Sequence, residues 1–213
     1  MSRYQFRQSD IYQPGSDLPV NRLGISDADL LHEIEAQLLH QAYSRFVADL
    51  QTHTPLDEAY FQGLHRHTFE SLYDWAGLYR TEDMVKGNSM FCRAAYLGDQ
   101  SRRIFAELAA EGYLHGASTW PRERFAERLA YYQSELIALH PFYELNGRIT
   151  RLFFDLIAIA NGYGPIDYAK TLQSDPEVDN NYIRASIHCV QRADYGLLQT
   201  LIEAGLIPNE TTP

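Results

Sequence analysis

Two apolar helical patterns flank a break in this chain, and this break constrains the fold more than any other stretch. Pro141 disfavours helix at the residue before it, so the first helix is predicted to end about His140. The residues that recur at helical spacing are Phe125, Leu129, Tyr132, Leu136 and Leu139 before the break, and Ile149, Leu152, Phe153, Leu156 and Ile157 within 146–161 after it. A tight loop therefore leads into the N-terminus of a buried helix.

The second helix start is suited to an anion. The first turn of a helix offers unpaired N–H groups and a partial positive charge, which together bind phosphate. We expect Asn146 to cap this helix and Gly147 to let a ligand approach the backbone. Arg148 and Arg151 are three residues apart, so they share a helix face and add donors.

Glu144 is a residue that a bare phosphate site would not need. It is explained if Mg²⁺ bridges it to phosphate oxygens, since Mg²⁺ is usually held by one or two carboxylates plus phosphates. His140, at the other end of the loop, is then placed to take a proton from an incoming hydroxyl group. On spacing alone, the alternative of a plain interhelical connection with salt bridges stays open.

Composition excludes several classes of protein. The length of 213 residues, 45% of them hydrophobic, predicts one domain with a substantial core. The net charge of −10 argues against a nucleic-acid surface, which needs a basic footprint. No apolar run in the sequence is long enough to span a bilayer, and the first ten residues are polar and do not resemble a signal peptide. No membrane partner is therefore expected. The only two cysteines, Cys92 and Cys189, favour a reduced, cytoplasmic protein.

The remaining chain is predicted to be helical, with one interruption and an extended lead-in over residues 1–25. We expect Ser26 and Thr54 to be the N-cap residues of the first two helices. His65 and His67 are interpreted as ordinary helix residues and not as metal ligands. Gly87-Asn88 predicts a short hairpin within 80–92. Helices are expected over 26–50, 54–77, 93–111, 121–140, 146–161, 177–192 and 195–204, and residues 208–213 should fray.

The stretch 140–151 resembles the signature of the Fic family, HPFx(D/E)GNGRxxR. It departs from this signature at Leu145, where the family usually has Gly or Ala. Segments 21–25 and 73–80 are also similar to family members, so the resemblance covers about 12–206. The matching positions are His140, Pro141, Phe142, Glu144, Asn146, Gly147, Arg148 and Arg151.

The resemblance implies an all-α Fic domain over 26–207, with a helical core around the motif helix and one small β-hairpin flap. Most Fic proteins transfer AMP from ATP to a hydroxyl side chain of a target protein. The expected function is therefore protein adenylyltransfer, with ATP as substrate and Mg²⁺ as cofactor, in a chain that resembles small bacterial Fic toxins. The alternatives are a weakly active or silent nucleotide-binding protein, a Fic variant that transfers another phosphate-linked group, and a helical interaction protein without nucleotide.

The resemblance also implies roles for individual residues. His140 would be the general base, and Glu144 would hold Mg²⁺. The flap over 80–92 would register the target protein beside the nucleotide. The implied nucleotide-binding residues are Asn146 and Gly147 in the anion hole, Arg148 and Arg151 at the β/γ-phosphates, Lys86 and Gly87 on the flap, and Tyr182, with Asn181, as candidates for the adenine pocket. A tyrosine at helical spacing is more often a core residue, so that alternative for Tyr182 stays open.

Regulation and the departure at Leu145 give two further expectations. Many Fic proteins are held inactive by a helix carrying (S/T)xxxE(G/N), whose Glu pairs with an arginine of the signature. The partial matches at 54–58 and 119–123 lack the final Gly or Asn, so we expect a separate small antitoxin as partner. We expect Leu145 to take an ordinary backbone conformation and to slow turnover by crowding the phosphates.

Overall fold

The architecture is helical with one small hairpin, which confirms the predicted fold class. A computed structural model describes residues 10–168 and 181–209. The elements are α1 (Ala28–Asp49), α2 (Glu58–Phe69), β1 (Val85–Lys86), β2 (Ser89–Met90), α3 (Leu97–Ala110), α4 (Arg122–Leu139), α5 (Asn146–Ala160), α6 (Asn181–Arg192) and α7 (Gly196–Gly205). The two strands are antiparallel, with Val85 opposite Met90. Across the described ranges, the helices are all too short or too polar to cross a membrane.

The first two helices begin with aspartate caps, so the predicted caps at Ser26 and Thr54 are wrong. Asp27 accepts a hydrogen bond from the backbone N–H three residues later, and Asp57 does the same. Aspartate is as good an N-cap as serine or threonine, and each aspartate is the residue directly before the first helical turn. The second helix ends at Phe69, well before the predicted end at 77.

Helix α5 lies at the centre of the core. It packs on α1, α2 and α4, and α4 in turn packs on α3, α6 and α7. Phe142, from the loop before α5, packs against Phe61, which also meets Phe153 of α5, with ring centroids 5.5 and 5.3 Å from that of Phe61. Each fully buried phenylalanine contributes roughly 1.5–3 kcal/mol. The loop between α4 and α5 is therefore anchored in the core at its centre.

Backbone pairing orders the chain segments outside the helices, within the lead-in at one end and against the stretch after α5 at the other. Tyr12 bridges to Pro19, and Pro208 bridges to Tyr163 after α5. The backbone N–H of Asn209 donates to the carbonyl of residue 162 at 2.9 Å. The start of the helix predicted from 177 lies outside the described residues, as do positions 1–9 and 210–213.

Candidate active site

The loop 140–145 has left-handed backbone at both ends. His140 is the C-cap of α4 with φ 47° and ψ 59°, and Leu145 is the N-cap of α5 with φ 67° and ψ 9°. Directly after Leu145, the Asn146 side chain closes the loop: its Oδ1 accepts from the Phe142 N–H at 2.8 Å, and its Nδ2 donates to the Phe142 carbonyl at 2.7 Å. The loop is therefore a closed unit with an imidazole at one end and a helix start at the other.

Asn146 does not cap α5, contrary to the prediction. It is the first helical residue, and both polar atoms of its buried side chain are engaged by Phe142. The cap position is Leu145, whose side chain has no acceptor. The first-turn N–H groups of Asn146 and Gly147 consequently have no acceptor within the helix. A Cβ built on Gly147 would meet nothing nearer than 4.0 Å, so space remains beside this turn.

The expectation of an ordinary backbone conformation at Leu145 is also wrong. Its φ of 67° is left-handed, which costs an L-residue with a Cβ roughly 1–2 kcal/mol. The side chain is only 8% exposed and belongs to the hydrophobic core. Burial of a leucine side chain, worth about 1.5–3 kcal/mol, offsets the strain. The predicted crowding of phosphates by this side chain is therefore not supported.

His140 lies beneath the flap, the segment 80–92 that carries β1 and β2. The ring of Phe91 stacks on the imidazole, with centroids 3.8 Å apart and planes 14° apart. Burial, together with the smaller effects of the nearby charges of Arg80 and Lys86, lowers the pKa of His140 to about 3. The imidazole is neutral at pH 7 and has a nitrogen that can accept a proton.

Arg80 joins the flap to the end of α4. Its side chain is buried, and its Nε donates to the His140 carbonyl at 2.8 Å. The other guanidinium nitrogens donate to the carbonyls of Glu82 and Cys92 in the flap and of Leu139 in α4. A cation at a helix C-terminus is favourable, because the last carbonyls carry a partial negative charge. No role was predicted for Arg80, because nothing near it in the sequence indicates these partners.

The flap is fixed to the helices at β2. The N–H of Cys92 donates to the Ala138 carbonyl at 2.9 Å, and Gln191 of α6 donates to the Ser89 hydroxyl at 3.1 Å. Gly87 has φ 57° in the turn, a conformation that favours glycine. Lys86 precedes it and is close enough for its charge to affect His140. The structure thus places the charge of Lys86 near the candidate base, with Gly87 next to Lys86 in the turn.

Glu144 is held from two sides. Its Oε1 accepts from the Tyr12 hydroxyl at 2.9 Å, and its carbonyl lies 3.1 Å from Nε2 of His65. The Gly77 N–H donates to Nδ1 of His65, so Nε2 carries the proton and donates to Glu144. Burial lowers the pKa of His65 to about 4, which keeps it neutral. His65 therefore supports the loop, which the sequence analysis missed.

The carboxylate in this loop fits a metal ion that is coordinated partly by the protein and partly by a nucleotide. Within 10–168 and 181–209, no three His, Cys, Asp or Glu side chains group together as a metal cage. Glu144 is a single buried carboxylate, 9% exposed, in the loop beside the helix start. Mg²⁺ is commonly held by one or two carboxylates together with substrate phosphates, so this donor set suits that arrangement.

The two signature arginines have different supports. Nη1 of Arg148 lies 3.2 Å from Oε2 of Glu35 in α1, and the Arg148 side chain is 33% exposed. The Arg151 guanidinium lies 5.0 Å from the centroid of the Tyr182 ring. Glu35 was not predicted, although it falls four residues after Leu31 on the buried face of α1. A carboxylate in that position of an apolar stripe is the signal that could have found it.

Tyr182 makes its contacts within the protein. Its hydroxyl accepts from Nε2 of Gln133 at 3.0 Å, and its ring meets that of Tyr168 edge-on at 5.0 Å. One ring face is taken by Arg151. The geometry favours a supporting role for Tyr182 beneath Arg151 over a stacking surface for adenine. Asn181, the other adenine candidate, is half-buried at the start of α6.

Comparison with known proteins identifies this arrangement. The family model Fic/DOC matches residues 55–158, which include the flap, the loop and nearly all of α5. A probable protein adenylyltransferase, y4lH, of Sinorhizobium fredii is 36% identical over 163 residues, which cover 76% of this chain and 82% of that protein. This chain belongs to the Fic/DOC family. The probable protein adenylyltransferase Fic of Salmonella typhimurium is 34% identical over 152 residues, 70% of this chain and 72% of the relative.

Solved structures confirm the Fic fold. The N-terminal Fic domain of a putative cell filamentation protein from Bartonella quintana, which has ADP bound, superposes with a TM-score of 0.76 at 22% identity. The match covers 94% of this chain and 95% of that one. The BepC protein of Bartonella tribocorum, with AMPPNP bound, gives 0.75 at 20% identity over 94% and 97% of the two chains. The predicted family resemblance is therefore confirmed for both sequence and fold.

Proposed function

We propose that this Fic protein is a protein adenylyltransferase that moves AMP from ATP to a hydroxyl side chain of a target protein. The loop 140–145 carries the proposal. It fixes a buried neutral imidazole at one end and an uncapped helix start with two arginines at the other. The names of the Sinorhizobium and Salmonella relatives, both called probable protein adenylyltransferases, support the same activity.

The start of α5 is the proposed phosphate site. The N–H groups of Asn146 and Gly147 would donate to phosphate oxygens, and Arg148 and Arg151 would add charged donors. The ADP and AMPPNP bound to two structural neighbours support a nucleotide ligand for this fold. Glu144 would hold Mg²⁺, which neutralises phosphate charge when it is bound.

His140 is the proposed general base. The target hydroxyl gives its proton to the imidazole while its oxygen attacks the α-phosphorus of ATP. The bond from that phosphorus to the bridging oxygen breaks, and pyrophosphate leaves with the electron pair. A base with a pKa near 3 is weak at neutral pH, but bound phosphates place negative charge nearby and raise this pKa. Nucleotide binding would thus prepare the base.

The flap is the proposed docking edge for the target. Its two strands, Val85–Lys86 and Ser89–Met90, form an antiparallel hairpin, and a target segment in extended conformation would add to this hairpin by backbone hydrogen bonds. Phe91 stacks on His140 at the end of the same segment, which would bring a docked hydroxyl close to the base. Lys86 and Gly87 lie at the turn and would face both ligands.

Restraint by a separate small antitoxin, and a cytoplasmic location, stay predictions. The carboxylate of Glu35 contacts the signature arginine Arg148. Its surroundings, Leu31 four residues before and Ala36 directly after, do not match (S/T)xxxE(G/N). This mismatch supports a restraint that comes from outside the chain.

Labelled ATP tests the reaction class. The protein is incubated with a bacterial lysate and Mg²⁺, in parallel with ATP labelled at the α- or the γ-phosphate. We expect protein-bound label from α-labelled ATP only, and none with His140→Ala, which should still bind Mg-ATP. Label from the γ-phosphate would indicate a variant that transfers another group. Absence of label from both, with ATP bound, would favour a silent nucleotide-binding protein.

A further inference from the structure

A buried carboxylate of α1 contacts the phosphate site from the protein side. Glu35 is only 2% exposed, and Glu35 and Leu31 are the buried residues of the 22-residue helix α1. Its Oε2 lies 3.2 Å from Nη1 of Arg148. Its Oε1 accepts from the Tyr73 hydroxyl at 2.6 Å, and the Tyr73 ring stacks on Trp75 with centroids 4.4 Å apart. Both oxygens of Glu35 are therefore engaged.

We propose that Glu35, held in place by Tyr73, is a positioning residue that orients the guanidinium of Arg148 for the phosphates of the nucleotide. This inference rests on the proposed function and adds a residue to it. Glu35 itself would touch neither substrate nor metal and would act through Arg148.

The geometry of the pair favours orientation over restraint. A guanidinium has five N–H donors in one rigid plane, and Glu35 contacts one terminal nitrogen through one oxygen. Donors therefore remain for phosphate. A restraining carboxylate must leave when the enzyme becomes active, but Glu35 lies within α1, is fixed by Tyr73 and could leave only if the helix moved.

The contact with Glu35 restricts the conformations of the Arg148 side chain before a nucleotide binds. A long side chain loses rotamer freedom when it binds a ligand, and a partner that orders it beforehand reduces that loss. The negative charge of Glu35 acts in the opposite direction, because it lowers the positive potential felt by phosphate. Burial of a carboxylate is unfavourable unless it is paired, so its placement against this arginine argues that the ordering effect is the larger.

Binding measurements on Glu35→Gln test the proposal. Mg-ATP and adenosine are titrated calorimetrically into wild type and variant. We expect Mg-ATP to bind about tenfold more weakly to the variant, with adenosine binding unchanged, because only the phosphates contact Arg148. Glu33→Gln is the matched control: Glu33 lies on the exposed face of the same helix, where Gln37 contacts it, and this variant should bind as wild type. Tyr73→Phe, which keeps the ring and removes the hydroxyl, should weaken Mg-ATP binding in the same direction by a smaller factor, and it serves if Glu35→Gln does not fold.

A double mutant separates action through Arg148 from a general loss of structure. Combining Glu35→Gln with Arg148→Ala should weaken Mg-ATP binding no further than Arg148→Ala alone. Unchanged or tighter Mg-ATP binding by Glu35→Gln would overturn the proposal, and tighter binding would make Glu35 a restraint. Equal loss of adenosine binding would also overturn it. A wild-type chain that binds Mg-ATP without transferring AMP would contradict the proposed function only, since these titrations do not depend on transfer.

Discussion

The two ends of the loop 140–145 are held in different ways. At the base end, the buried Arg80 donates to backbone carbonyls of α4 and of the flap, and Phe91 covers the imidazole. At the phosphate end, Arg148 is one-third exposed and is held by one carboxylate contact. One arginine is committed to the fold, while the other keeps donors for a ligand. Of the two arginines, Arg80 thus has a structural role and Arg148 a ligand-binding role.

This difference indicates which parts of the site must be rigid. A general base has to stay within hydrogen-bond distance of the proton it takes, so fixed backbone contacts at His140 serve the chemistry. A phosphate site has to admit and release a charged ligand, so exposure at Arg148 serves binding. The comparison predicts that changes at the base end affect the stability of the fold most strongly.

Replacement of Arg80 by methionine should have the largest effect on stability. The change leaves buried carbonyls at both the flap and the α4 end without a donor, at about 1–3 kcal/mol each. We expect the free energy of unfolding to fall by about 4 kcal/mol, measured by urea denaturation. Arg93→Met is the control, because Arg93 pairs with Asp83 at the surface and should change stability by less than about 1 kcal/mol. Equal losses in the two variants would show that the buried contacts of Arg80 stabilise the base end no more than a surface ion pair does.

Leu145→Gly should have the next largest effect and tests the junction between the ends. Glycine relieves roughly 1–2 kcal/mol of left-handed strain, but loss of a buried leucine side chain costs about 2–5 kcal/mol. We expect a net loss of about 2 kcal/mol of stability, read from thermal and urea denaturation, with no gain in the rate of transfer. A more stable variant would show that the backbone strain outweighs the packing.

The general course of this chain could be predicted from sequence because its signals are local. Helical spacing and Pro141 predicted the loop and α5, and Gly87-Asn88 predicted the hairpin. The helix caps were missed by one to three residues, because serine, threonine and aspartate compete for the same role over short distances. Left-handed backbone at Leu145 was missed because burial of its side chain outweighs its local preference.

The supports of the site could not be predicted in this way. Arg80 binds the carbonyl of His140 from 60 residues away, and Glu35 meets Arg148 across 113 residues. Such pairs form only when packing brings distant segments together. The signature residues themselves were found because they lie within twelve positions of each other, whereas the residues that hold them in place come from α1, α2 and the flap.

Asp155 provides a titration that contrasts with His140. It lies one turn after Arg151 and accepts from the Ile166 N–H at 2.9 Å, and burial raises its pKa to about 7. An unfolded aspartate titrates near 4, so between about pH 4 and 7 the folded state holds a proton that the unfolded state has released. This contribution to stability is present at low pH and is lost as pH rises towards 7.

Asp155→Asn should therefore change the pH dependence of stability. Relative to wild type, the variant is expected to be about 2–3 kcal/mol more stable at pH 8 than at pH 5, because two pH units below the folded pKa count at about 1.4 kcal/mol each. Urea denaturation of both proteins at the two pH values measures this. The buried histidines, whose lowered pKa values make stability rise with pH, are present in both proteins and cancel in the difference. A difference that is the same at both pH values would contradict the raised pKa.

Phe91→Leu should give the smallest effect and tests how the flap acts on the base end. The stacked phenyl ring keeps water from His140, and burial is the main cause of its low pKa. A leucine covers less of the imidazole, so its pKa should rise by less than about one unit towards the value of an exposed histidine. The acid limb of kcat/KM should move to higher pH by the same amount, and the NMR titration of the His140 ring measures the pKa without turnover.

Met90→Ala, at an exposed neighbouring flap position, should leave both curves in place. If Phe91→Leu also leaves them in place, the ring of Phe91 does not tune the base, and the low pKa of His140 then originates in burial by the surrounding loop and in the charge of Arg80.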